Sequence, residues 1–538
     1  MIYAIIGAVI ALALGIYFCL PALTLASGSF WIASFAFLLV IGSILGLGKK
    51  EKAGIAVKTS SIIIGAIFFL ICAATSPLFL SRSYATILGV PEKTDIEEYT
   101  PSIETVPLMD RETAELLMNR ALGTLVNEVS QFELGDSTQI NYQGRAIRVA
   151  PLKYASIIKW LNNRNSGIPA YVTVDMQTQK TDIHYLDRGM KYSPSACFGE
   201  DLSRHVWLSY PTAITGDPVF ELDEEGNPMW IIPRLEHKAG LFFGDDVQGA
   251  FCVDAVSGAI NYYRVGDIPN YIDNVYPASL VIEQYDNYGK YTQGFWNSLI
   301  GQRNVTATTE GYNYIPQDDD IYLYTGVTSV GGDESNIGFI YVNLRTKEVK
   351  YFEQAGAEEY SAMASAEGMV QHLGYTSTFP LLLNIEGQPT YCVALKDSGG
   401  LVKMYGLVNV EQYQIVVTAD SISQCLQKYR TSLRGNGQAV TGGGEVVSGI
   451  ITDIRSANME GTTYFYVQLD GEMMYYELSA MDNKQAILLS IGTKVSLSPI
   501  GQPANAVQEA VLPVQNIATT PSRTPEMVDG EANSEATA

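Results

Sequence analysis

His184, His205, His237 and His372 are the only histidines in this chain, and none sits in an HExxH or HxH spacing that would hold zinc. There is no Gly-x-Ser-x-Gly elbow for a nucleophilic serine, no phosphate-binding Walker loop and no dinucleotide-binding glycine fingerprint. His205 and His372 each precede an apolar stretch that leads to a proline, a pairing that shared ancestry explains without shared function. The run Asp318-Asp319-Asp320, with Asp333 and Glu334, has the charge to hold a hard cation. It lacks the alternate spacing and the glycine of a calcium loop, so it reads as a solvated acidic turn. Cys197, Cys252, Cys392 and Cys425 are scattered without a CxxC pair, and Cys19 and Cys72 lie in apolar runs; all six read as free thiols. No metal, cofactor or catalytic residue is nominated, and the chain reads as a binding protein rather than an enzyme. The residues suited to recognition are aromatic: Tyr285, Tyr288, Phe295, Trp296, Tyr312 and Tyr314, rings of the kind that dominate contact surfaces. The competing reading is that these rings pack a seam inside the protein.

Composition narrows the partners. The 538 residues carry a formal net charge of -23, which opposes nucleic-acid binding because that needs clustered Lys and Arg. Tyrosine, at 33 against 18 phenylalanines, suits antiparallel strands in which a ring packs while its hydroxyl stays wet, so the soluble part is expected to be strand-rich.

Three apolar runs open the chain, at about 2–20, 30–47 and 60–78, each close to the roughly 20 residues that cross a bilayer. Three transmembrane helices are expected, with the lipid bilayer as a partner; a cleaved signal peptide is the competing reading of the first run. Between the second and third runs, Lys49, Lys50, Lys52 and Lys58 face a single acid, Glu51, which places that loop in the cytoplasm. The expected location is a multi-pass cell-membrane protein whose C-terminal bulk is extracytoplasmic.

The remainder divides by composition. Residues 81–109 are acidic and contain prolines, as a stalk would, and 110–165 form a helical lead-in in which Asp110 or Thr113 caps a helix and Leu152 to Leu161 forms another. A duplication follows. Val174-Asp175-Met176-Gln177-Thr178-Gln179-Lys180 matches Val342-Asn343-Leu344-Arg345-Thr346-Lys347-Glu348, and Glu225-Gly226-Asn227-Pro228 matches Glu386-Gly387-Gln388-Pro389. Copies of an α+β module are therefore drawn at 166–270 and 336–433, an antiparallel sheet plus a helix, with a Tyr-rich connecting segment at 271–335. A Gly-rich linker, 434–444, leads to a last domain at 445–517 with alternating strands near Val446 to Ile454, Thr463 to Leu469, Met473 to Leu478 and Thr493 to Leu497 and a fifth at Ala510 to Val514. Residues 518–538 read as a disordered tail.

The segment that runs through the Glu-Gly-x-Pro hairpin to Val253-Asp254-Ala255-Val256-Ser257-Gly258 resembles the PepSY family, in which a helix packs on a small antiparallel sheet. The resemblance implies an extracytoplasmic module that binds or restrains other proteins rather than a catalyst. The last domain resembles a small OB-like barrel, which implies stacking of single-stranded nucleic acid on Tyr464, Tyr466 and Tyr475. Residues 445–499 oppose that, with seven acidic residues against three basic, a net of -4. The expected function is thus a membrane-anchored cell-envelope protein that binds protein or peptide partners as a scaffold, modulator or assembly factor, with no nucleic acid. The alternative is an enzyme that processes envelope polymers with carboxylates on the duplicated modules.

Overall fold

The computed structural model describes residues 2–46, 51–95, 106–124, 130–330, 335–435, 447–459, 462–471, 475–480 and 484–497. Asp333, Glu334, most of the Gly-rich linker, the strand expected at Ala510 to Val514 and the tail lie outside them. The chain is a mixed α+β protein in two compact units, 1–429 and 430–538.

Helices Gly28–Gly46 and Lys52–Ala74 are long and apolar enough to cross a membrane. That makes two such helices where three were expected. The helix over the first apolar run, Ile2–Cys19, is not among them. Its C-terminal end meets the rest of the protein: Arg204 stacks its guanidinium 4.0 Å from the Tyr17 ring centroid and Trp207 donates from Nε1 to the Pro21 carbonyl.

After these helices the described residues build four units with one plan, a helix followed by five strands, with a further helix, Ile157–Asn163, inserted between the third and fourth strands of the first. In module one the helix Arg111–Gly123 precedes strands Phe132–Leu134, Thr138–Tyr142, Arg145–Tyr154, Ile168–Asp175 and Thr181–Met190. Module two has helix Leu202–Ser209 and strands Ile214–Thr215, Val219–Leu222, Pro228–Ala239, Phe243–Asp254 and Ile260–Arg264. Module three has helix Ala278–Tyr291 and strands Thr306–Thr308, Asn313–Gln317, Asp320–Ser329, Ser335–Asn343 and Val349–Phe352. Module four has helix Glu359–Met369 and strands Thr376–Ser377, Leu381–Ile385, Gln388–Lys396, Val402–Asn409 and Val416–Ala419. In every module the first two strands share one edge of the third, and the third, fourth and fifth follow as an antiparallel meander.

The same side-chain device ends the fourth strand of all four. Asp175, Asp254, Asn343 and Asn409 each turn a side-chain oxygen back onto the backbone N–H groups two and three residues on. In the first three modules the residue four places on, Gln179, Gly258 or Lys347, takes positive φ to complete the turn. The element order thus draws the repeats differently from the sequence. The lead-in at 110–165 is most of module one, and the connecting segment at 271–335 is most of module three. The helix expected from Leu152 begins at Ile157, because Leu152 is still in a buried strand.

Module two is the centre of the packing. Trp230, Ile232, Phe251 and Val253 face a core shared with module one, while Met229, Ile231, Ala250 and Cys252 face one shared with module three. Burial on both faces explains why Met229-Trp230-Ile231-Ile232 shows no polar alternation. Modules three and four meet through Phe339 and Tyr391 and through Tyr341, whose hydroxyl donates to the Leu382 carbonyl. Module four returns to module one through Lys396, which bridges Asp110 and Glu112. The segment read as a stalk is held where it is described: Glu92–Lys93 pairs in parallel with module three, and Leu108 donates its N–H to Met176.

The described residues of the C-terminal unit form four strands, Val447–Met459, Thr462–Leu469, Tyr475–Ser479 and Lys494–Leu497, with a short 3-10 turn, Lys484–Leu488, before the last. The first strand lies between the second and the fourth. Among the described residues nothing pairs Tyr475–Ser479 with Lys494–Leu497, so the closure of the expected barrel is not seen there. Tyr464 and Tyr466 are half-buried, whereas Tyr475 is buried and donates to Asp453.

The shared turn gives a direct test. Asn343 is buried and also donates to Asp320, so Asn343→Ala leaves the buried Asp320 carboxylate one donor short and two partly buried backbone N–H groups unpaired. It is expected to cost about 2–3 kcal/mol in chemical denaturation, whereas Asp254→Ala, whose turn water can reach, should cost under about 1 kcal/mol. Equal costs would contradict the burial argument.

Candidate functional site

A cavity of about 460 Å³ opens where all four modules converge. Module one supplies Asp110, Arg111, Ser137, Gln139 and Arg148, module two Val219, module three Tyr312, Asn313 and Tyr314, and module four Phe379; Asn274 and Tyr276 come from the turn before module three. Meeting points of domains are where ligand sites form most readily.

The positions of these groups follow from local structure. Asp110 caps the helix Arg111–Gly123 by accepting from Thr113, which fixes Arg111 at the helix start. Arg111 bonds Glu115 at 2.6 Å, one turn on, and Glu115 accepts from Ser137 at 2.7 Å. Arg148 stands between the apolar pairs Ala146-Ile147 and Val149-Ala150 of its strand and is 4% exposed. Its Nη1 donates to the carbonyl and hydroxyl of Ser137 at 3.3 and 3.2 Å and its Nη2 to Gln139 at 3.4 Å, while Nε has no partner. Its direct partners are therefore neutral and distant. Burial pulls this guanidinium down to about 10, against the supporting charge of Glu115 and Asp110, and it stays cationic at neutral pH. Above it, burial and the neighbouring Tyr312 raise the Tyr314 hydroxyl, which remains a donor; the two rings meet edge to face with centroids 5.6 Å apart.

Behind the cavity wall lies a buried carboxyl pair. Glu221 of module two accepts the backbone N–H groups of Asp273 and Asn274 and the Asn274 side-chain amide, at 2.8 to 3.0 Å. The same amide donates to the Gln139 carbonyl, and Asp273 accepts the Asn141 N–H at 2.7 Å. Burial raises the Glu221 carboxyl, against the pull of its three donors. Asp273 has one donor, so burial and the facing Glu221 push its carboxyl well above the ordinary range.

The six aromatic residues expected to bind do not form one surface. Tyr312 and Tyr314 line the cavity. Tyr285 is buried and Tyr288 packs against the core between modules two and three, where their role is packing. Phe295 and Trp296 sit in a separate loop after the helix Ala278–Tyr291. The acidic run diverges: Asp318 takes positive φ at a hairpin tip, Asp319 accepts from Asn270, and Asp320 is held in a bidentate bond by Arg345. His205 bonds the Gly258 carbonyl from a helix, whereas His372 lies in a 3-10 turn, so the two are not equivalent. Sequence reasoning missed Arg111, Arg148, Glu221, Asp273 and Asn274. The available signal was a lone charge inside an apolar strand, Arg148 in Ala146-Ile147-Arg148-Val149-Ala150 and Glu221 in Val219-Phe220-Glu221-Leu222.

Comparison with protein-family models, with curated proteins and with solved structures finds no match to this chain.

The raised Asp273 carboxyl predicts a pH effect. A folded-state value above the unfolded one stabilises at acid pH and is lost as pH rises towards the folded value. Asp273→Asn keeps an acceptor for Asn141 without a charge, so its stability relative to the native protein should grow from about pH 5 to about pH 8 in chemical denaturation. A constant difference across that range would place the proton elsewhere.

Proposed function

We propose that this chain is a membrane-anchored cell-envelope protein whose extracytoplasmic part, built by duplication of one helix-and-sheet unit, binds a protein or peptide partner in the cavity between its four modules. The observation that carries this reading is the buried Arg148. A guanidinium with only neutral direct partners, at the base of a tyrosine-lined cavity, suits a partner that inserts a carboxylate, from an acidic side chain or a chain end. Tyr312, 42% exposed, is the ring a partner meets first.

Enzymatic processing of envelope polymers has less support. Glu221 and Asp273 are sealed from solvent, and Asp110, the carboxylate lining the cavity, is engaged by Lys396 and Thr113. A nucleic-acid partner is disfavoured by the net charge of -23 and by the Asp453 carboxylate beside Tyr475.

The binding test uses the full chain in lipid nanodiscs to select peptides from a random library. Selected peptides should bind Tyr312→Ala at least about 30-fold more weakly, the loss of a contact worth roughly 2 kcal/mol or more. They should also weaken when their carboxylates are neutralised. Failure to select any peptide, or undiminished binding to the variant, would refute the site. Orientation is tested separately: a cysteine at Ser456 should react with an impermeant reagent on intact cells, and one at Ala53 only after permeabilisation. The opposite pattern would invert the topology.

A further inference from the structure

We infer that the loop after the helix Ala278–Tyr291 is a second membrane contact, inserting Trp296, Leu299 and Ile300 into the headgroup region of the bilayer crossed by helices Gly28–Gly46 and Lys52–Ala74. The inference rests on the membrane anchoring proposed above. These side chains are 66%, 58% and 79% exposed. The segment is hydrogen-bonded: Leu299 and Ile300 sit on a π-helical turn, Asn297–Gly301, and Trp296 just before it, with Ser298 donating to the Phe295 carbonyl and Asn297 bonding both ways with Arg303. An ordered loop that holds three large apolar groups outward presents a surface for apolar surroundings.

Its position identifies those surroundings. The long hairpin of module two points its turn at the ends of the spanning helices, where Phe242 packs against Trp31 and Phe68 with ring centroids 6.0 and 5.0 Å away. Gln284 donates to the Asp245 carbonyl near that turn. Tyr291, seven residues further and about 10 Å along the helix, lies in the cluster of Leu80, Tyr84, Ile87 and Ala239 at the hairpin's end. The helix therefore runs towards the membrane end of the module. Tyr84 bonds the Thr75 carbonyl, one residue past the spanning helix, and rings step outward from it: Tyr84 to Tyr291 at 6.3 Å, Tyr291 to Phe295 at 6.4 Å and Phe295 to Trp296 at 5.6 Å. The chain then returns, so that Thr308 donates to Asp286. Leu78 and Phe79, at the start of the helix Pro77–Thr86 that follows the span, are exposed as well. Tryptophan with aliphatic neighbours at the end of a spanning bundle is the composition of a bilayer interface, and Arg303 beside it complements anionic lipid headgroups.

The experiment uses the full chain, with Cys19, Cys72 and Cys197 changed to serine, in vesicles of phosphatidylcholine and anionic phosphatidylglycerol. A polarity-sensitive fluorophore is placed on a single cysteine by Leu299→Cys, and in parallel variants by Ile62→Cys within the second span and Tyr413→Cys on module four. The Leu299 probe should be quenched by lipids carrying a shallow nitroxide and be several-fold less accessible to aqueous iodide than the Tyr413 probe. The Ile62 probe should respond to a deep nitroxide. If Ile62 responds while Leu299 is open to iodide, the loop faces water and the inference fails with anchoring intact. If Leu299 is shielded from both quenchers, protein covers it and the inference also fails. Loss of the Ile62 response would instead remove the anchoring on which both rest.

Discussion

Three hydrogen bonds to one buried carboxylate hold the cavity's walls in register. Glu221 sits in a strand of module two and gathers the N–H groups of residues 273 and 274 and the Asn274 amide, which in turn reaches the carbonyl of Gln139 in module one. Module three begins four residues after this turn. One side chain thus couples three modules at the point where Gln139 and Asn274 enter the cavity lining. A buried carboxylate is costly unless its lone pairs are filled, so the turn cannot move away without exposing that cost. The arrangement at Arg148, which lines the cavity, is the converse, a buried cation whose direct partners are neutral.

Half of the repeat was legible and half was not. Val174-Asp175 and Val342-Asn343, 168 residues apart, mark equivalent strands of modules one and three, and Glu225-Gly226 and Glu386-Gly387 mark the hairpins of modules two and four. The relation between modules one and two was hidden because little is shared beyond element order and the side-chain turn at Asp175 and Asp254. Module three was concealed by its own packing: Ile321, Leu323, Ile340 and Val342 face one core while Tyr324, Phe339 and Tyr341 face the opposite side. Strands buried on both faces lose the period of two that identifies a strand in a sequence.

The site was legible in its rings and not in its charges. Tyrosines are counted easily, yet only long-range topology decides that Tyr312 and Tyr314 line the cavity while Tyr285 enters the core. Arg148 and Glu221 were marked only as charges among apolar neighbours, and composition cannot tell a buried charge from an exposed one. The helices long and apolar enough to span were overcounted for a different reason. An 18-residue apolar run reads like its neighbours, and its contacts through Tyr17 and Pro21 with module two become visible only in the fold.

The most direct measurement is hydrogen–deuterium exchange of the full chain carrying Glu221→Ala. If Glu221 organises the cavity, protection should fall together in Thr138–Tyr142, in residues 270–278 and in Asn313–Gln317, while the C-terminal strands Val447–Met459 and Thr462–Leu469 keep theirs. Exchange that rises only within Val219–Leu222 would show that the three modules hold the cavity without this carboxylate, and would contradict the account.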